Sequence, residues 1–210
     1  MNIQGIIFDF DGVILNGVKL HDAVFLENLH EAGIVTTIEE LHKTIGGTIN
    51  ACYRKFMSLE LAEKLTQSHL VKILKLYQAE TDFDRSLLPF LEHLKAQNIK
   101  LAVGSGSDYS VVKGALAFHH LDQYFPVIIG GDQVTKGKPD PEVFLKCADQ
   151  IVIAPEQIVV IEDGRLGLQA AKSAGMNGIG YNYFEDFLGD YQPKFSSFGE
   201  IEEWLFEREN

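Results

Sequence analysis

The 210-residue sequence is poor in cysteine and in basic residues, and it has no long hydrophobic run. Cys52 and Cys147 are its only cysteines, with no CxxC spacing, which excludes a disulfide framework and favours a reduced, cytoplasmic setting. The sequence contains 18 lysines and arginines but 30 aspartates and glutamates. The resulting net charge of −12 argues against nucleic acid or an anionic membrane as a partner. No apolar stretch approaches membrane-spanning length and no secretion pattern opens the sequence, so we expect a soluble intracellular protein.

Hydrophobic residues make up 46% of the chain, and many of them fall in short runs that end in small or acidic residues. The runs occupy residues 5–11, 99–107, 125–132, 157–163 and 177–181. Runs without polar alternation are typical of parallel strands that are covered on both faces. Segments with helical spacing separate them. The sequence therefore predicts a doubly wound, mostly parallel α/β sheet.

Residues 17–82 interrupt this alternation. They show amphipathic helical spacing and no clear strand run, so we predict an inserted helical cap domain there, called the helical insert below. The α/β core would then comprise residues 1–16 and 83–210. The hinges are expected at residues 15–17 and 81–83. The final segment, residues 198–210, has the pattern of an amphipathic helix with Trp204 buried against the core.

Polar side chains follow several of the predicted strands. In chain order they are Asp9, Asp11, Ser105, Glu162 and Asp163. Ligands of open α/β sheets bind beyond the carboxyl ends of the strands, so these residues should converge on one cleft. Four acids in one cleft repel each other, and a hard divalent cation with oxygen ligands, Mg²⁺, would relieve that repulsion. Lys138 would add a fixed positive charge if its loop reaches the same edge.

Four motifs carry these residues: "DFDGV" from Asp9, "VGSGS" around Ser105, "GKPDPEVF" around Lys138, and "VVIEDGRLGLQAAKSAGM" around Glu162 and Asp163. Together they resemble the motifs of the haloacid dehalogenase superfamily, in its branch of phosphatases and β-phosphoglucomutase-like enzymes. The likeness covers nearly the whole chain, and the four motifs occur in the family's order.

The resemblance implies roles for the acids. Asp9 would be the nucleophile and form an aspartyl-phosphate. Asp11 would protonate the leaving oxygen and later deprotonate the attacking water. Mg²⁺ would lie between Asp9, the backbone carbonyl of Asp11, and Asp163, with Glu162 nearby or coordinating through water.

The resemblance also implies roles for residues that bind phosphate and support the site. Ser105, the amide of Gly106 and Lys138 would hold the phosphoryl oxygens. Gly12 would let the chain turn sharply after the acids. His21 aligns with a histidine at the hinge of the cap, which helps to position the general acid.

Some positions depart from the family's pattern. Asn16-Gly17 stands where the family usually has Asp-Ser, and Gly164 replaces a serine. Ile49 stands where the mutase branch usually has an arginine for a second phosphate, with Arg54 further along, and Asp108 replaces a mutase lysine. The last two losses weaken the binding of a bisphosphate and favour a hydrolase over a mutase.

Other charged and imidazole side chains receive no role. Lys136 competes with Lys138 and is interpreted as a solvated surface charge. Four histidines have no acid partner at a ligand-like spacing: His30, His42, His69 and His93.

The sequence thus predicts a phosphoric monoester hydrolase, a Mg²⁺-dependent phosphatase of a small phosphorylated metabolite such as a sugar phosphate. A phosphomutase of the β-phosphoglucomutase type is the first alternative, and a dehalogenase is a distant third. From a different class, a receiver-like signalling module or a non-catalytic protein that binds a phosphorylated metabolite stays open. We expect a monomer or a weak homo-oligomer.

Overall fold

One parallel sheet organises the computed structural model, which describes residues 2–44, 48–79, 83–184 and 187–206. The strands lie in the order β3-β2-β1-β4-β5-β6, and every pair is parallel. They are β1 (Gly5–Phe8), β2 (Lys100–Gly104), β3 (Val127–Ile129), β4 (Ile158–Glu162), β5 (Asn177–Tyr181) and β6 (Lys194–Phe195). The five predicted strands are confirmed. The two-residue β6 was not predicted.

Side chains of β1 alternate between two buried layers. Ile6 and Phe8 belong to one hydrophobic cluster and Ile7 to another, and all three are fully buried. Ile6 lies beside Leu101 of β2 and Val159 of β4 in the parallel register. Because both faces of the sheet are covered, its strands are apolar at successive positions.

Helices cover both faces of the sheet. They are α5 (Leu87–Ala96), α6 (Tyr109–Phe118), α7 (Glu142–Ile151), α8 (Arg165–Ser173) and α9 (Phe198–Phe206). Helices α5, α6 and α9 contribute to the layer of Ile6 and Phe8, whereas α7 and α8 contribute to the layer of Ile7. This confirms the doubly wound fold.

The helical insert separates β1 from α5. It contains α1 (Val18–Glu31), α2 (Ile38–Thr44), α3 (Ile49–Tyr53) and α4 (Leu59–Ala79), and no strand lies in its described residues. A hydrophobic cluster of its own includes Phe25, Leu29 and Leu65. Ile73 and Tyr77, near the end of α4, instead join the core over the sheet. The insert therefore combines an independent core with a base anchored on the α/β unit.

Two details of the sequence interpretation need correction or fall outside the described chain. Trp204 is half-buried rather than buried, with its ring 5.9 Å from that of Phe195. Of the second expected hinge, residues 81 and 82 lie outside the described residues. No described helix is both long enough and apolar enough to cross a membrane.

Candidate active site

The polar residues that the sequence singles out meet at the carboxyl edge of the sheet. Asp9 directly follows β1, Ser105 follows β2, and Glu162 ends β4. The backbone continues the sheet pattern at this edge, since the Asp9 amide donates to the Ile161 carbonyl at 2.9 Å. The strand ends thus hold the side chains in place before any ligand binds.

Lys138 provides the positive charge of the site. It lies in the loop between β3 and α7, and its Nζ is 2.5 Å from Asp9 Oδ1 and 2.7 Å from Glu162 Oε1. Burial favours the neutral amine, but the charges of these two carboxylates and their hydrogen bonds raise the pKa of Lys138 above its usual value. The residue is therefore a fixed cation. Lys136, by contrast, has a side chain that is 75% exposed, as expected for a surface charge.

Three acids surround this cation. One carboxylate oxygen each of Asp9, Glu162 and Asp163 lies within 4.8 Å of the others. Burial raises the pKa of Asp9 to about 7, although Lys138 lowers it. Burial, with the charge of Glu162, likewise raises the pKa of Asp163 well above its usual value. One lysine therefore does not neutralise the cluster, and the oxygen donors fit a hard divalent cation.

Two glycines allow the acids to approach. A Cβ at Gly12, whose φ is +81°, would lie 2.0 Å from Asp163 Oδ2. A Cβ at Gly167 would lie 1.7 Å from Glu162 Oε1. The Glu162 carboxylate also accepts a hydrogen bond from the Gly164 amide at 2.8 Å, which orients it towards Lys138.

Asp11 lies apart from the acid triad and is held by hydroxyl groups. Its Oδ2 accepts a hydrogen bond from Ser107 Oγ at 2.6 Å, and its Oδ1 accepts one from the Tyr77 hydroxyl. His21 Nε2 is 3.5 Å from Asp11 Oδ1 and 3.3 Å from Ser107 Oγ. The structure thus brings His21 next to the carboxyl group that the resemblance assigns to acid–base chemistry.

Gly17 makes room for the tyrosine. A Cβ at this position would lie 1.9 Å from the Tyr77 hydroxyl oxygen and 2.2 Å from Asp11 Oδ1. The departure from the family's Asp-Ser pattern therefore coincides with a hydroxyl that arrives from α4 instead. This contact joins the helical insert to Asp11.

A cavity of about 450 Å³ lies between the sheet edge and the insert. Ser105, Gly106 and Lys138 line its floor with the acids. Ser105 is almost fully buried, and its hydroxyl oxygen accepts a hydrogen bond from the Ser107 amide at 2.9 Å, a contact that does not use the hydrogen of the hydroxyl group. From the insert, the lining residues include Asp22, Phe25, His42, Thr48 and Ile49.

Three residues near the site received no role from the sequence: Tyr77 and Ser107 were not singled out, and His69 was considered without finding an acid partner. Tyr77 and His69 lie on the buried stripe of α4, a pattern that indicates packing. Ser107 is two residues from Ser105 in a loop that already had an assigned serine. The expectation that His42 and His93 have no acid partner is wrong. His42 Nε2 contacts Asp22 Oδ2 at 2.8 Å, and His93 Nδ1 contacts Glu202 Oε1.

The fold and the site together define a capped α/β enzyme with an acid and lysine cluster on the edge of a parallel sheet. A profile of the haloacid dehalogenase-like hydrolases matches residues 6–181, and the chain belongs to this family. The resemblance drawn from the four motifs is thus confirmed.

Phosphatases and a phosphomutase are among the relatives of the chain. The chain is 31% identical over 185 residues to the phosphorylated carbohydrates phosphatase of Thermotoga maritima, covering 84% of each chain. It is 29% identical over 205 residues to the β-phosphoglucomutase of Bacillus subtilis, covering 89% of this chain and 87% of that one. The crystal structure of a CbbY mutant from Rhodobacter sphaeroides in complex with xylulose-1,5-bisphosphate matches with a TM-score of 0.82 and 26% identity, over 95% of this chain and 96% of that chain.

Proposed function

We propose that this protein is a Mg²⁺-dependent phosphatase that hydrolyses a small phosphorylated metabolite through an aspartyl-phosphate on Asp9. One observation carries the proposal: Asp9 is paired with the half-buried Lys138 at the floor of a cavity that Asp11 also lines. A nucleophile, a cation for the phosphoryl oxygens and an acid–base group thus face one space. The family membership and the phosphatase among its relatives support the same activity.

In this proposal, a carboxylate oxygen of Asp9 attacks phosphorus, and the bond from phosphorus to the leaving oxygen breaks. Asp11 gives its proton to that oxygen and then takes a proton from the water that hydrolyses the acyl phosphate. Ser107 fixes the Asp11 carboxyl for both steps, with its Oγ 2.6 Å from Oδ2. Ser105, the Gly106 amide and Lys138 bind the phosphoryl oxygens.

The acid cluster supports a place for the metal. Asp9, Asp163 and the backbone carbonyl of Asp11 would hold Mg²⁺, with Glu162 mainly holding Lys138. When bound, the ion neutralises charge that develops on the phosphoryl group and lowers the repulsion between phosphate and carboxylate.

The helical insert, residues 17–82, would act as a cap over the core of residues 1–16 and 83–210. The cavity between them, and the contact of Tyr77 with Asp11, support a cap that excludes water when it is closed.

The charge of the cavity favours hydrolysis over mutase activity. Among the described residues that line it, Lys138 is the only lysine or arginine. Ile49 lines the wall where the mutase branch has an arginine, and Arg54 is exposed. A second phosphate would find no cation there, so we infer a monophosphate substrate with an uncharged leaving group. We therefore expect no sustained conversion of a sugar phosphate to its isomer without phosphate release, even when a sugar bisphosphate is supplied.

The first experiment measures phosphate release from an aryl phosphate with and without Mg²⁺. We expect metal-dependent turnover, and a loss of at least about a thousandfold in kcat for Asp9→Asn, because the nucleophile is removed. Asp149→Asn, which changes an exposed aspartate on α7, is the matched control and should retain full activity.

An absence of metal-dependent turnover on aryl phosphates and on a panel of phosphorylated metabolites would contradict the proposal. It would favour a non-catalytic binding protein instead. A receiver-like module would be indicated by a stable aspartyl-phosphate that accumulates without turnover.

A further inference from the structure

A row of buried polar side chains continues from the active site into the helical insert. His21 Nδ1 lies 2.9 Å from His69 Nε2, and His69 Nδ1 lies 2.8 Å from the Tyr53 hydroxyl. Asn28 Nδ2 in turn lies 2.8 Å from that hydroxyl. His69, Tyr53 and Asn28 are fully buried. Because buried polar groups need hydrogen-bond partners, each of these side chains must pair a donor with an acceptor of its neighbour, and this constrains the direction of every hydrogen bond.

Lys72 sets the direction at the outer end. Its ammonium has only donors, and its Nζ lies 2.8 Å from Asn28 Oδ1. Ion pairs with Glu27 and Glu31 outweigh its desolvation and keep the pKa of Lys72 above the usual value. Asn28 must therefore present its oxygen to Lys72 and its NH₂ group to Tyr53 and to the carbonyl of Leu65.

The orientation of Asn28 also fixes the direction of the hydrogen bonds that Tyr53 and His69 make. The Tyr53 oxygen accepts from Asn28, so its single hydrogen is donated to His69 Nδ1. Burial lowers the pKa of His69 to about 2, with a contribution from the charge of His21, so the ring is neutral and has one N–H. That hydrogen is on Nε2 and is donated to His21 Nδ1. His21 is left with its own hydrogen on Nε2, the nitrogen that faces Asp11 and Ser107.

We propose that Asn28, Tyr53 and His69 are positioning residues that hold His21 in its Nε2–H tautomer, so that the ring presents a hydrogen-bond donor to Ser107 Oγ and to the neighbouring Asp11 carboxyl group. This role rests on the proposed function, in which Asp11 is the acid–base group. The donors are ordered in one direction, from Lys72 at the outside of the insert to the carboxyl group in the cavity.

The reverse direction is unfavourable at both ends. If His69 carried its hydrogen on Nδ1, Tyr53 would accept two hydrogen bonds and its own hydrogen would lose this acceptor. His21 would then carry its hydrogen on Nδ1 and turn a nitrogen lone pair towards the Asp11 carboxylate. When both rings are neutral, the observed contacts thus favour one of the two possible arrangements of hydrogens.

Nuclear magnetic resonance of the 210-residue protein, labelled with ¹⁵N-histidine, tests the tautomer directly, without substrate or metal. At pH 8 we expect His21 Nδ1 to resonate as an unprotonated nitrogen and Nε2 as a protonated one. In Tyr53→Phe, which removes the donor to His69, the His21 nitrogens should shift towards intermediate positions. Tyr191→Phe, which removes a hydroxyl that donates to the Gly178 carbonyl at 3.0 Å in the core, should leave them unchanged.

Kinetics with an aryl phosphate and Mg²⁺ provide the second readout. Tyr53→Phe should lower kcat about tenfold with little change in KM, a part of the 10²–10⁴ that acid–base catalysis contributes. His69→Gln should retain more activity than His69→Leu, because an amide can accept from Tyr53 and donate to His21. Thermal melting separates loss of the folded state from loss of positioning.

A protonated Nδ1 on His21 in the unmodified protein would overturn the inference. So would a Tyr53→Phe variant, folded by its melting curve, with unchanged histidine spectra and unchanged kcat. If the unmodified protein shows the expected tautomer but releases no phosphate, the proposed function fails while the orientation of the hydrogen bonds stands.

Discussion

At the scale of single residues, the charge balance of the site depends on Lys138. Its ammonium contacts both Asp9 and Glu162, and it is the one cation among three clustered acids within the described residues. Even with this partner, burial raises the pKa of Asp9 to about 7. Removal of the ammonium would leave buried carboxyl groups without a counter-charge, which disfavours both their ionisation and the binding of a phosphate dianion.

A comparison of Lys138→Met with Lys136→Met tests this dependence. We expect Lys138→Met to lower kcat by about a hundredfold to a thousandfold, the scale observed when one group that stabilises developing oxyanion charge is lost. Lys136→Met should change kcat by less than about twofold, because that side chain is 75% exposed and its ion pair with Asp140 is long, with 4.0 Å between Nζ and Oδ2. The measurement is steady-state phosphate release at saturating Mg²⁺, and similar losses in both variants would contradict the role of Lys138.

Strand-end acids were predictable from sequence, whereas the groups that hold them were not. Asp9, Glu162 and Asp163 stand out because each interrupts or ends an apolar run, and the topology of parallel strands brings such ends together. Tyr77 and His69 have no such contrast, since each lies on the apolar stripe of a helix where an aromatic side chain indicates packing. The contact of Tyr77 with Asp11 depends on how α4 packs against the sheet, and the contacts of His69 with His21 and Tyr53 depend on how α4 packs against α1 and α3. Periodicity does not encode these tertiary relationships.

At the scale of elements, the turn after β1 determines how closely the acids approach. Gly12 adopts a left-handed conformation with φ +81°, and its amide donates to the Leu15 carbonyl at 2.8 Å. The absence of a Cβ leaves room for Asp163. Gly33, which follows α1, has a similar φ of +79°, but a Cβ there would contact nothing within 4 Å. The two glycines therefore separate backbone strain from crowding of the site.

We expect Gly12→Ala and Gly33→Ala to lower the free energy of unfolding by a similar amount, about 1–2 kcal/mol for a left-handed residue with a Cβ. Only Gly12→Ala should also impair the metal-dependent reaction, by about tenfold or more, because the new methyl group displaces a proposed metal ligand. Urea unfolding and the Mg²⁺ concentration at half-maximal activity measure the two effects. Equal activity of both variants would show that Asp163 tolerates the displacement.

Most elements followed from hydrophobic patterning, and the exceptions are short or solvent-facing. The continuous apolar runs predicted β1 to β5 because a strand covered on both faces has no polar side. Strand β6 consists of Lys194 and Phe195 alone at the edge of the sheet, too short for any pattern. Trp204 on α9 is only half-buried, because a helix at the periphery of the fold covers part of a large ring rather than all of it.

At the scale of the whole molecule, the raised pKa values of Asp9 and Asp163 link folding stability to pH. The pKa of Asp9 rises from an ordinary value of 3.8 to about 7, so between these values the folded state binds more protons than the unfolded state. The stability that the protonated group contributes is therefore present at low pH and is lost as the pH rises towards 7. Asp163, whose pKa is also raised, acts in the same direction. A bound divalent cation requires the ionised carboxylates and would restore stability where the protons have left.

Thermal unfolding with and without Mg²⁺ measures this linkage. At a Mg²⁺ concentration about a hundred times its Kd, binding stabilises the folded state by about 2.7 kcal/mol. For a chain of this size that corresponds to a rise in Tm of roughly 5–10 °C, which we expect at pH 8. At pH 5 the rise should be much smaller, because the metal must displace protons from Asp9 and Asp163.

Asp163→Asn should remove most of the rise at pH 8, and Asp149→Asn should preserve it. A rise that is independent of pH, or unaffected by Asp163→Asn, would place the ion elsewhere, since among the described residues Asp9 and Asp163 combine a raised pKa with a place in the acid cluster.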